Sequence, residues 1–281
     1  MKSIRQLRME EDELNTGRMM MASFEEMAAR RMQEVRGGKE LARNYFDDLS
    51  RVSSEVGMDL SERALIDPQI EAVVLLGVNG GLYGDLTDRV AYEMVKYLKT
   101  SPKADIFVIG ESSADAVHEM MPDLRFETTT INDNKWDRAW WEMVVERLRM
   151  YRAVKIYYGS FVNLVNQEAK SRSLSGEFSW DHLSEQIKEE RRGHLKYLYE
   201  PGIETVAKTL SGEVFAQILE DTWHEERLAK FASRLIQLDT VVIGIDKHLL
   251  KMSGARRQLR KRHAERRRGQ LLAGRRERRK I

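Results

Sequence analysis

The chain has 281 residues, a formal net charge of +2, 42% hydrophobic residues and no cysteine. No apolar stretch reaches the ~18 to 20 residues of a membrane-spanning helix, which argues against an integral membrane protein. The absence of cysteine excludes disulfides and thiolate catalysis, and the N-terminal segment lacks the apolar core of a secretory signal. With 33% charged residues and only four prolines, the composition favours long, solvated helices.

The first predicted element is a helix over residues 2–36. Its apolar residues recur at alternating spacings of three and four, the pattern of a narrow coiled-coil stripe. Three polar residues, Glu11, Arg18 and Glu25, occupy the remaining positions of that stripe. The glycine pair at residues 37–38 is expected to end or loosen the helix. The apolar stripe consists of Ile4, Leu7, Leu14, Met21, Ala28, Met32 and Val35.

Three consecutive methionines, Met19, Met20 and Met21, lie on this helix. Methionine commonly fills gaps in a core. At ~100° per residue, however, three in a row cover most of the helix circumference. At least one of them must therefore face outward, toward a partner or toward water.

The middle of the chain, residues 70–166, alternates between strand and helix patterns, which predicts a small α/β sheet with helical crossovers. The Ser-rich residues 170–184 that follow are expected to form a flexible loop. Strands are predicted at residues 72–77, 105–109 and 154–162, and helices at residues 86–99, 113–120 and 136–151.

The first predicted strand runs into a glycine-rich turn at residues 77–86, a position where many α/β proteins bind phosphate. A Walker A turn needs a lysine after its last glycine, but here Gly84 is followed by Asp85. The glycine spacing also departs from the dinucleotide-binding pattern, and Asp85 would repel a phosphate. We therefore expect a structural turn, with anion binding as the less favoured alternative.

The sequence offers no other pattern for catalysis or metal binding. The six histidines are scattered, and the segment around His224 lacks the second histidine of a zinc-binding helix. The nucleophile-elbow motif of hydrolases is also missing. We expect no catalytic residue, no bound cofactor and no metal site.

The last predicted helix begins near Gly202, and its apolar positions keep an unbroken spacing of three and four as far as Met252. A seam of more than three heptads predicts a left-handed coiled coil. Its natural partner is the N-terminal helix, while packing on its own globular domain is the alternative. The seam consists of Leu228, Phe231, Leu235, Leu238, Val242, Ile245, Leu249 and Met252.

The C-terminal residues 255–281 carry thirteen lysines and arginines against two glutamates, a net +11 that leaves about −9 for the rest of the chain. Such a segment is typical of proteins that bind nucleic acid or an acidic protein surface. A solvated helix end is the alternative. We expect order and ion pairing from Arg256 to about Arg262, fraying beyond, and disorder after about Gly269.

Together these elements predict an α/β protein in which an antiparallel coiled coil of the N- and C-terminal helices carries an inserted small α/β (Rossmann-like) domain. The expected divisions are an N-terminal coiled-coil helix over residues 1–36, an α/β body over 37–201, and a C-terminal coiled-coil helix with a basic tip over 202–281. The body is acidic and the tip is basic.

Several segments occur in the order found in one protein family. They are TGRMMMAS (residues 16–23), GGLYGDL (80–86), YYGSFVNLVNQ (157–167), YLYEP (197–201) and the helix from Glu220. In these segments the chain resembles the γ subunit of F-type ATP synthases, the central rotor shaft. The resemblance spans nearly the full length. Tyr83 and Asp85 depart from it, since the family has cysteine and glycine there.

The resemblance implies a non-catalytic central-stalk subunit of an H+- or Na+-transporting ATP synthase. Such a subunit couples ion-driven rotation to ATP synthesis or hydrolysis on the α/β hexamer. The implied partners are the α and β subunits, the ε subunit and the membrane c-ring, with no nucleic acid and no membrane insertion. The implied location is peripheral, at the cytoplasmic face of the cell membrane.

The resemblance also implies where the head of the enzyme touches this chain. Met19 and Met21 on the first helix, and Arg256, Arg257 and Gln258 on the last, are expected to face the α and β subunits. The last three are the nearest equivalents of the family's Arg-Gln pair. In the family, small and apolar residues follow that pair, whereas here arginine and lysine do, which implies acidic partners in the bearing or a tail that lies beyond it.

At the opposite end, the resemblance places Tyr199 and Glu200 of YLYEP at the foot of the rotor, near the ε subunit and the c-ring. A second reading of the whole chain stays open at this point. It is an adaptor in which a coiled coil carries an α/β interaction module and a basic tail that binds nucleic acid. An enzyme acting on a small molecule is the weakest alternative, because no set of acid, base or nucleophile emerges.

Overall fold

The computed structural model describes residues 3–55, 71–100, 103–130, 137–151, 153–175, 200 and 202–277. The helices are α1 (Ile4–Glu55), α2 (Leu86–Leu98), α3 (Glu111–Met120), α4 (Arg138–Leu148) and α5 (Ile203–Glu277). The strands are β1 (Glu71–Leu76), β2 (Ala104–Ile109), β3 (Glu127–Thr129), β4 (Ala153–Phe161) and β5 (Gln167–Ser175).

The five strands form one sheet in the order β3-β2-β1-β4-β5. Strands β1 to β4 are parallel, and β5 runs antiparallel to β4. Residues 72–76 of the central strand β1 are all buried, as expected where helices cover both faces of a parallel sheet. The three predicted strands are confirmed, each within one residue of its predicted ends.

Helices cover both faces of the sheet. Successive residues of a strand point to opposite sides, so neighbouring residues of β1 belong to different cores. On one face, Val74 belongs to a core shared with Trp141 of α4 and Trp223 of α5. On the other face, Val73 belongs to a core shared with residues of α2 and α3. The chain therefore forms the predicted α/β fold with two long terminal helices, and it buries part of α5 against the sheet.

Strand β5 corrects the loop predicted for residues 170–184. Its residues pair with the whole length of β4, from Phe161 opposite Gln167 to Ala153 opposite Ser175. A polar edge strand carries little of the apolar alternation on which strand prediction depends; here Leu174 is a buried apolar residue among serines and charges. Residues 176–184 of the predicted loop lie outside the described part of the chain.

Helix α1 corrects the expected break at residues 37–38. It continues through both glycines to Glu55. A glycine inside a helix costs only about 1 kcal/mol relative to alanine, which packing of the helix offsets. A Cβ atom at Gly38 would lie 3.7 Å from the His224 ring of α5, and Leu49 joins the core that contains Trp223.

The chain divides into two compact units, residues 29–234 and residues 1–28 with 235–281. The second unit is a rod made of the start of α1 and the end of α5. Leu7, Ala28, Leu238 and Met252 are buried in it, and the other apolar seam residues of this unit are half-buried. This confirms a narrow seam between the two chain ends.

The upstream part of α5 follows the alternative that the sequence left open. Leu228 and Phe231 are buried and belong to the unit of residues 29–234, as does Ala229, which lies in the core of α2 and α3. One continuous helix therefore packs on the α/β body over its first part and pairs with α1 over its last part. The basic end stays helical to Glu277, which corrects both the fraying expected beyond about Arg262 and the disorder expected after about Gly269.

Candidate functional site

The glycine-rich turn after β1 is held by hydrogen bonds to the start of α3. The Val78 N–H donates to the Ser113 hydroxyl (2.9 Å), and the Glu111 N–H donates to the Asn79 side-chain oxygen (3.2 Å). Gly110, the residue before α3, has a φ of 105°, and a Cβ there would lie 2.5 Å from the Val78 backbone. These bonds use groups that a phosphate would need, which fits the structural turn expected from the sequence.

The carboxyl edge of the sheet between β1 and β4 is the point where the strand order reverses. In open α/β sheets this edge is where ligands usually bind. Here two side chains of α5 occupy it. Lys230 donates to the Gly77 carbonyl at the end of β1, and Glu226 accepts from the Gly159 N–H of β4.

The two α5 side chains also form a buried ion pair with each other. The Lys230 Nζ lies 3.6 Å from the Glu226 Oε1, and the side chains are 5% and 4% exposed. The ammonium group lies 5.2 Å from the centre of the Trp223 ring. The chain's own helix therefore fills the position at which a nucleotide would enter this fold.

One turn further along α5, two side chains hold the glycine-rich turn from the other side. Ser233 donates to the Tyr83 carbonyl, and the Arg234 guanidinium lies 5.3 Å from the centre of the Tyr83 ring. Tyr83 is buried, whereas its neighbour Leu82 is 41% exposed at a φ of 72°. The departure from the family's cysteine thus supplies an aromatic contact for Arg234.

Two of the ion pairs described in the rod cross between its helices, and both use polar residues of the predicted seam. Arg18 pairs with Asp246 (2.7 Å), and Glu11 pairs with Arg256. Glu11 is buried, while the Arg18 pair is half exposed. The polar seam positions therefore fix which turns of the two helices face each other.

The residues expected to contact the α/β head differ in exposure. Met19 is 61% exposed and Met20 53%, while Met21 is half-buried. This confirms that the methionine triplet faces outward in part. Arg257 and Gln258 are exposed, but Arg256 is half-buried because it pairs with Glu11.

At the predicted foot, Glu200 is exposed, and Tyr199 lies outside the described residues. Glu200 belongs to the unit of residues 29–234. The five head residues all belong to the rod unit of residues 1–28 and 235–281.

Sequence reasoning missed Glu226, Lys230 and Ser233. Their spacing of four and three residues places them on one helix face with Trp223, and that spacing was the only available signal. A Glu–Lys pair four residues apart is also the usual arrangement on an exposed helix surface. Burial distinguishes the two cases, and for Glu226 it depends on Gly159 of β4, where a Cβ would lie 2.9 Å from the Glu226 Oε2.

Half-buried Tyr151, which precedes β4, and buried Tyr158 within β4 do not provide acid–base groups. Burial, followed by a hydrogen bond to Asp105, raises the pKa of Tyr151 to about 12. Burial also raises the pKa of Tyr158. Groups that titrate this far above neutrality are poorly matched to proton transfer at physiological pH.

The described residues contain neither a cluster suited to a metal ion nor a helix suited to a bilayer. No group of three or more histidine and acidic side chains is placed to hold a metal ion in that part of the chain. Within the same residues, no helix has the length and apolar character to cross a bilayer.

The sequence matches the family described as ATP synthase over residues 3–262. The chain belongs to the ATP synthase gamma-subunit family. This makes it a central-stalk subunit of a multisubunit enzyme. No relative was found among curated protein sequences.

Solved structures agree with this family assignment at the level of fold. The gamma-family chain is similar to a chain of the central stalk and c-ring structure of the Tetrahymena thermophila mitochondrial ATP synthase, with a TM-score of 0.57, 17% identity, and 79% of this chain and 99% of that chain covered. It is also similar to a chain of the Euglena gracilis mitochondrial enzyme, with a TM-score of 0.52, 16% identity, and 92% and 93% covered.

Proposed function

We propose that this gamma-family chain is the rotating shaft of an F-type ATP synthase and contributes no catalytic residue itself. The observation that carries the proposal is the family match over residues 3–262 on a fold whose two chain ends form a helical rod. A filled ligand edge of the sheet supports a role without nucleotide binding, since Glu226 and Lys230 already occupy it.

In this proposal the rod turns inside the hexamer of α and β subunits. An asymmetric shaft contacts each β subunit differently, and so favours open and closed β conformations in turn. Rotation driven by H+ or Na+ thereby drives ATP synthesis, and ATP hydrolysis drives rotation in reverse. A shaft that must slide past many surfaces suits exposed charged faces, where each contact contributes roughly 0 to 1 kcal/mol.

The proposed head contacts are Met19, Met21, Arg256, Arg257 and Gln258. Exposed Met19 offers an adaptable apolar contact, and exposed Arg257 and Gln258 offer polar ones. The Arg256 guanidinium pairs with Glu11 within the rod. Its role in the head contact would therefore be to hold the helix end that presents Arg257 and Gln258.

At the foot we propose that Tyr199 and Glu200 contact the ε subunit and the c-ring. Glu200 is exposed and so available to a partner. A Glu200→Lys exchange is expected to weaken coupling between ion flow and ATP turnover, and to spare ATP hydrolysis in the soluble head. Unchanged ATP-driven pumping by the exchanged complex would rule out this contact.

We also propose a peripheral location at the cytoplasmic face of the cell membrane. The chain would be held there through the c-ring and the ε subunit. Membranes that hold the c-ring should then retain this chain together with the α/β head, and membranes that lack the ring should not. Recovery of the chain with the α/β head alone, and none with the ring, would contradict the foot contacts.

The experiment that tests the shaft is co-expression with the matching α and β subunits. The expected result is a stable complex whose ATPase activity requires this chain. The isolated chain is expected to show no ATPase activity and no measurable ATP binding by calorimetry. Micromolar ATP binding, or full ATPase activity without the chain, would overturn the proposal.

A further inference from the structure

We infer that Glu226 and Lys230 clamp helix α5 to the sheet, and that torque passes between the helix and the α/β body through this clamp. The clamp consists of these two side chains and their backbone partners, the Gly159 N–H and the Gly77 carbonyl. The inference rests on the proposed rotor function. It identifies which contacts keep the helix from turning within the body.

The clamp joins α5 to two neighbouring strands at once. Gly77 follows β1, Gly159 lies in β4, and these strands pair in parallel. Both clamp partners are glycines at points of close approach. A Cβ at Gly159 would lie 2.9 Å from the Glu226 Oε2, so the absence of a side chain there makes room for the clamp. At Gly77 a Cβ would instead meet the Ser113 side chain of α3 and the Ile109 carbonyl.

Apolar packing alone would resist separation of α5 from the sheet more than it would resist rotation. The hydrophobic effect has no direction, so the burial of Leu219 and Trp223 holds the helix on the sheet without depending on the angle of any one bond. Hydrogen bonds to backbone groups depend on distance and angle. A turn of α5 by one residue, ~100°, would break both clamp bonds and leave a buried ion pair without its partners.

Other contacts of α5 are less suited to this role. Arg172 of β5 reaches Asp221 and Glu225, but these side chains are 16% to 37% exposed and are therefore screened by water. Ser233 adds one more bond to a backbone carbonyl, that of Tyr83. Among the ion pairs described in this unit, the pair of Glu226 and Lys230 is the one in which neither side chain is more than 5% exposed.

The test uses the complete ATP synthase complex, reconstituted in vesicles, with the exchange Glu226→Ala/Lys230→Met. Removing both charges avoids leaving one of them buried alone. The measured quantity is ions pumped per ATP hydrolysed. The matched control is Glu142→Ala/Arg138→Met, an ion pair with the same spacing on α4 whose side chains are 60% and 83% exposed.

A covalent rescue separates slipping from misfolding. A Cβ built at Gly159 lies 3.3 Å from the Ala229 Cβ, close to the about 3.5–4.5 Å that a disulfide spans. Adding Gly159→Cys/Ala229→Cys to the clamp variant should therefore lock α5 to β4 when oxidised. The chain has no cysteine of its own, so no other disulfide within it can form.

The clamp predicts that ions pumped per ATP fall at least about threefold in the clamp variant, because the helix slips during part of each turn. The control should match the unaltered complex. Oxidation of the cysteine variant should restore pumping and reduction should remove it again. If the clamp variant does not assemble, the oxidised cysteine variant is assembled first and then reduced.

Two results would overturn the inference. One is unchanged pumping per ATP in the clamp variant, and the other is unchanged pumping after reduction of the assembled cysteine variant. Either leaves the proposed rotor function standing, because the unaltered complex still pumps. An unaltered complex that hydrolyses ATP without any requirement for this chain would instead overturn the rotor function, and the clamp with it.

Discussion

At the scale of residues, buried polar groups decide how the helices are placed. Glu11 in the rod and Glu226 in the body are both buried carboxylates, and each has a basic partner on α5. An unpaired buried charge is costly, so these partners specify one alignment of each helix. The apolar seam alone would accept several.

The pair of Glu11 and Arg256 gives a direct test. Arg256→Met should destabilise the chain by about 1–3 kcal/mol, because Glu11 would stay buried without its partner. Adding Glu11→Gln or Glu11→Leu should recover much of the loss, since no charge would then be buried. Thermal unfolding of the three variants measures this. Equal stability of Arg256→Met and the unaltered chain would show that the pair does not hold the rod together.

Glycine at position 159 is expected to be required by the close approach of α5. Gly159→Ala would bring a methyl group 2.9 Å from both the Glu226 Oε2 and the Leu86 Cδ2, and should cost about 1–3 kcal/mol through overpacking. Gly244→Ala is the matched control, because nothing lies within 4 Å of a Cβ there, and it should be neutral or stabilising by up to about 1 kcal/mol. Denaturant unfolding compares the two, and equal effects would contradict the packing described here.

At the scale of elements, the rod part of helix α5 has a buried face on the seam and an exposed face. Its seam residue Leu238 is fully buried in the rod, while Leu250 on the same helix is 73% exposed. The contrast provides a variant and a control of the same chemical type.

Leu238→Asp should therefore cost several kcal/mol, because it buries a carboxylate without a partner. Adding Leu235→Asp should deepen the loss, since that residue is half-buried on the same seam. Leu250→Asp should change stability by less than about 0.5 kcal/mol. Differential scanning calorimetry gives the answer, and a shift of only a degree or two for Leu238→Asp would mean that the chain ends do not pair.

Elements differed in how far the sequence predicted them. Strands β1, β2 and β4 were predicted within one residue because their apolar runs are buried on both faces. Strand β5 was missed because its polar residues pair with β4 through backbone bonds that leave no apolar pattern. The pairing of Glu226 and Lys230 could not be predicted, since the spacing of an ion pair on a helix does not reveal whether a sheet edge lies against it.

At the scale of the whole molecule, the distribution of charge separates two parts of the last helix. The described residues from 257 to 270 are almost all exposed. Arg256, which precedes them, is half-buried and pairs with Glu11 inside the rod. Arginines buried in a narrow bearing without acidic partners would each cost several kcal/mol. We therefore expect acidic side chains of α and β around residues 256–262.

Truncation separates these parts. A chain that ends before Gly269 should assemble with α and β nearly as well as the full chain. A chain that ends before Ala255 should assemble less well or deliver less torque, because it lacks the Arg256 pair with Glu11 as well as the exposed arginines. Assembly is measured by co-purification at low and at physiological salt, since screening beyond ~8 to 10 Å should weaken exposed pairs. Loss of assembly in the shorter deletion, or no effect in either, would contradict this division.

The central claim is that this chain turns relative to the α/β head, and the most direct measurement is observation of that motion. Met143→Cys places a single thiol on an exposed side chain of α4, 58% accessible, in a chain that otherwise has no cysteine. A fluorescent bead or rod attached there, with the α/β head fixed to a surface, reports rotation of this chain under a microscope. We predict continuous rotation in one direction that requires ATP and stops when ATP is removed. A probe that stays still while the same complexes hydrolyse ATP would contradict the account.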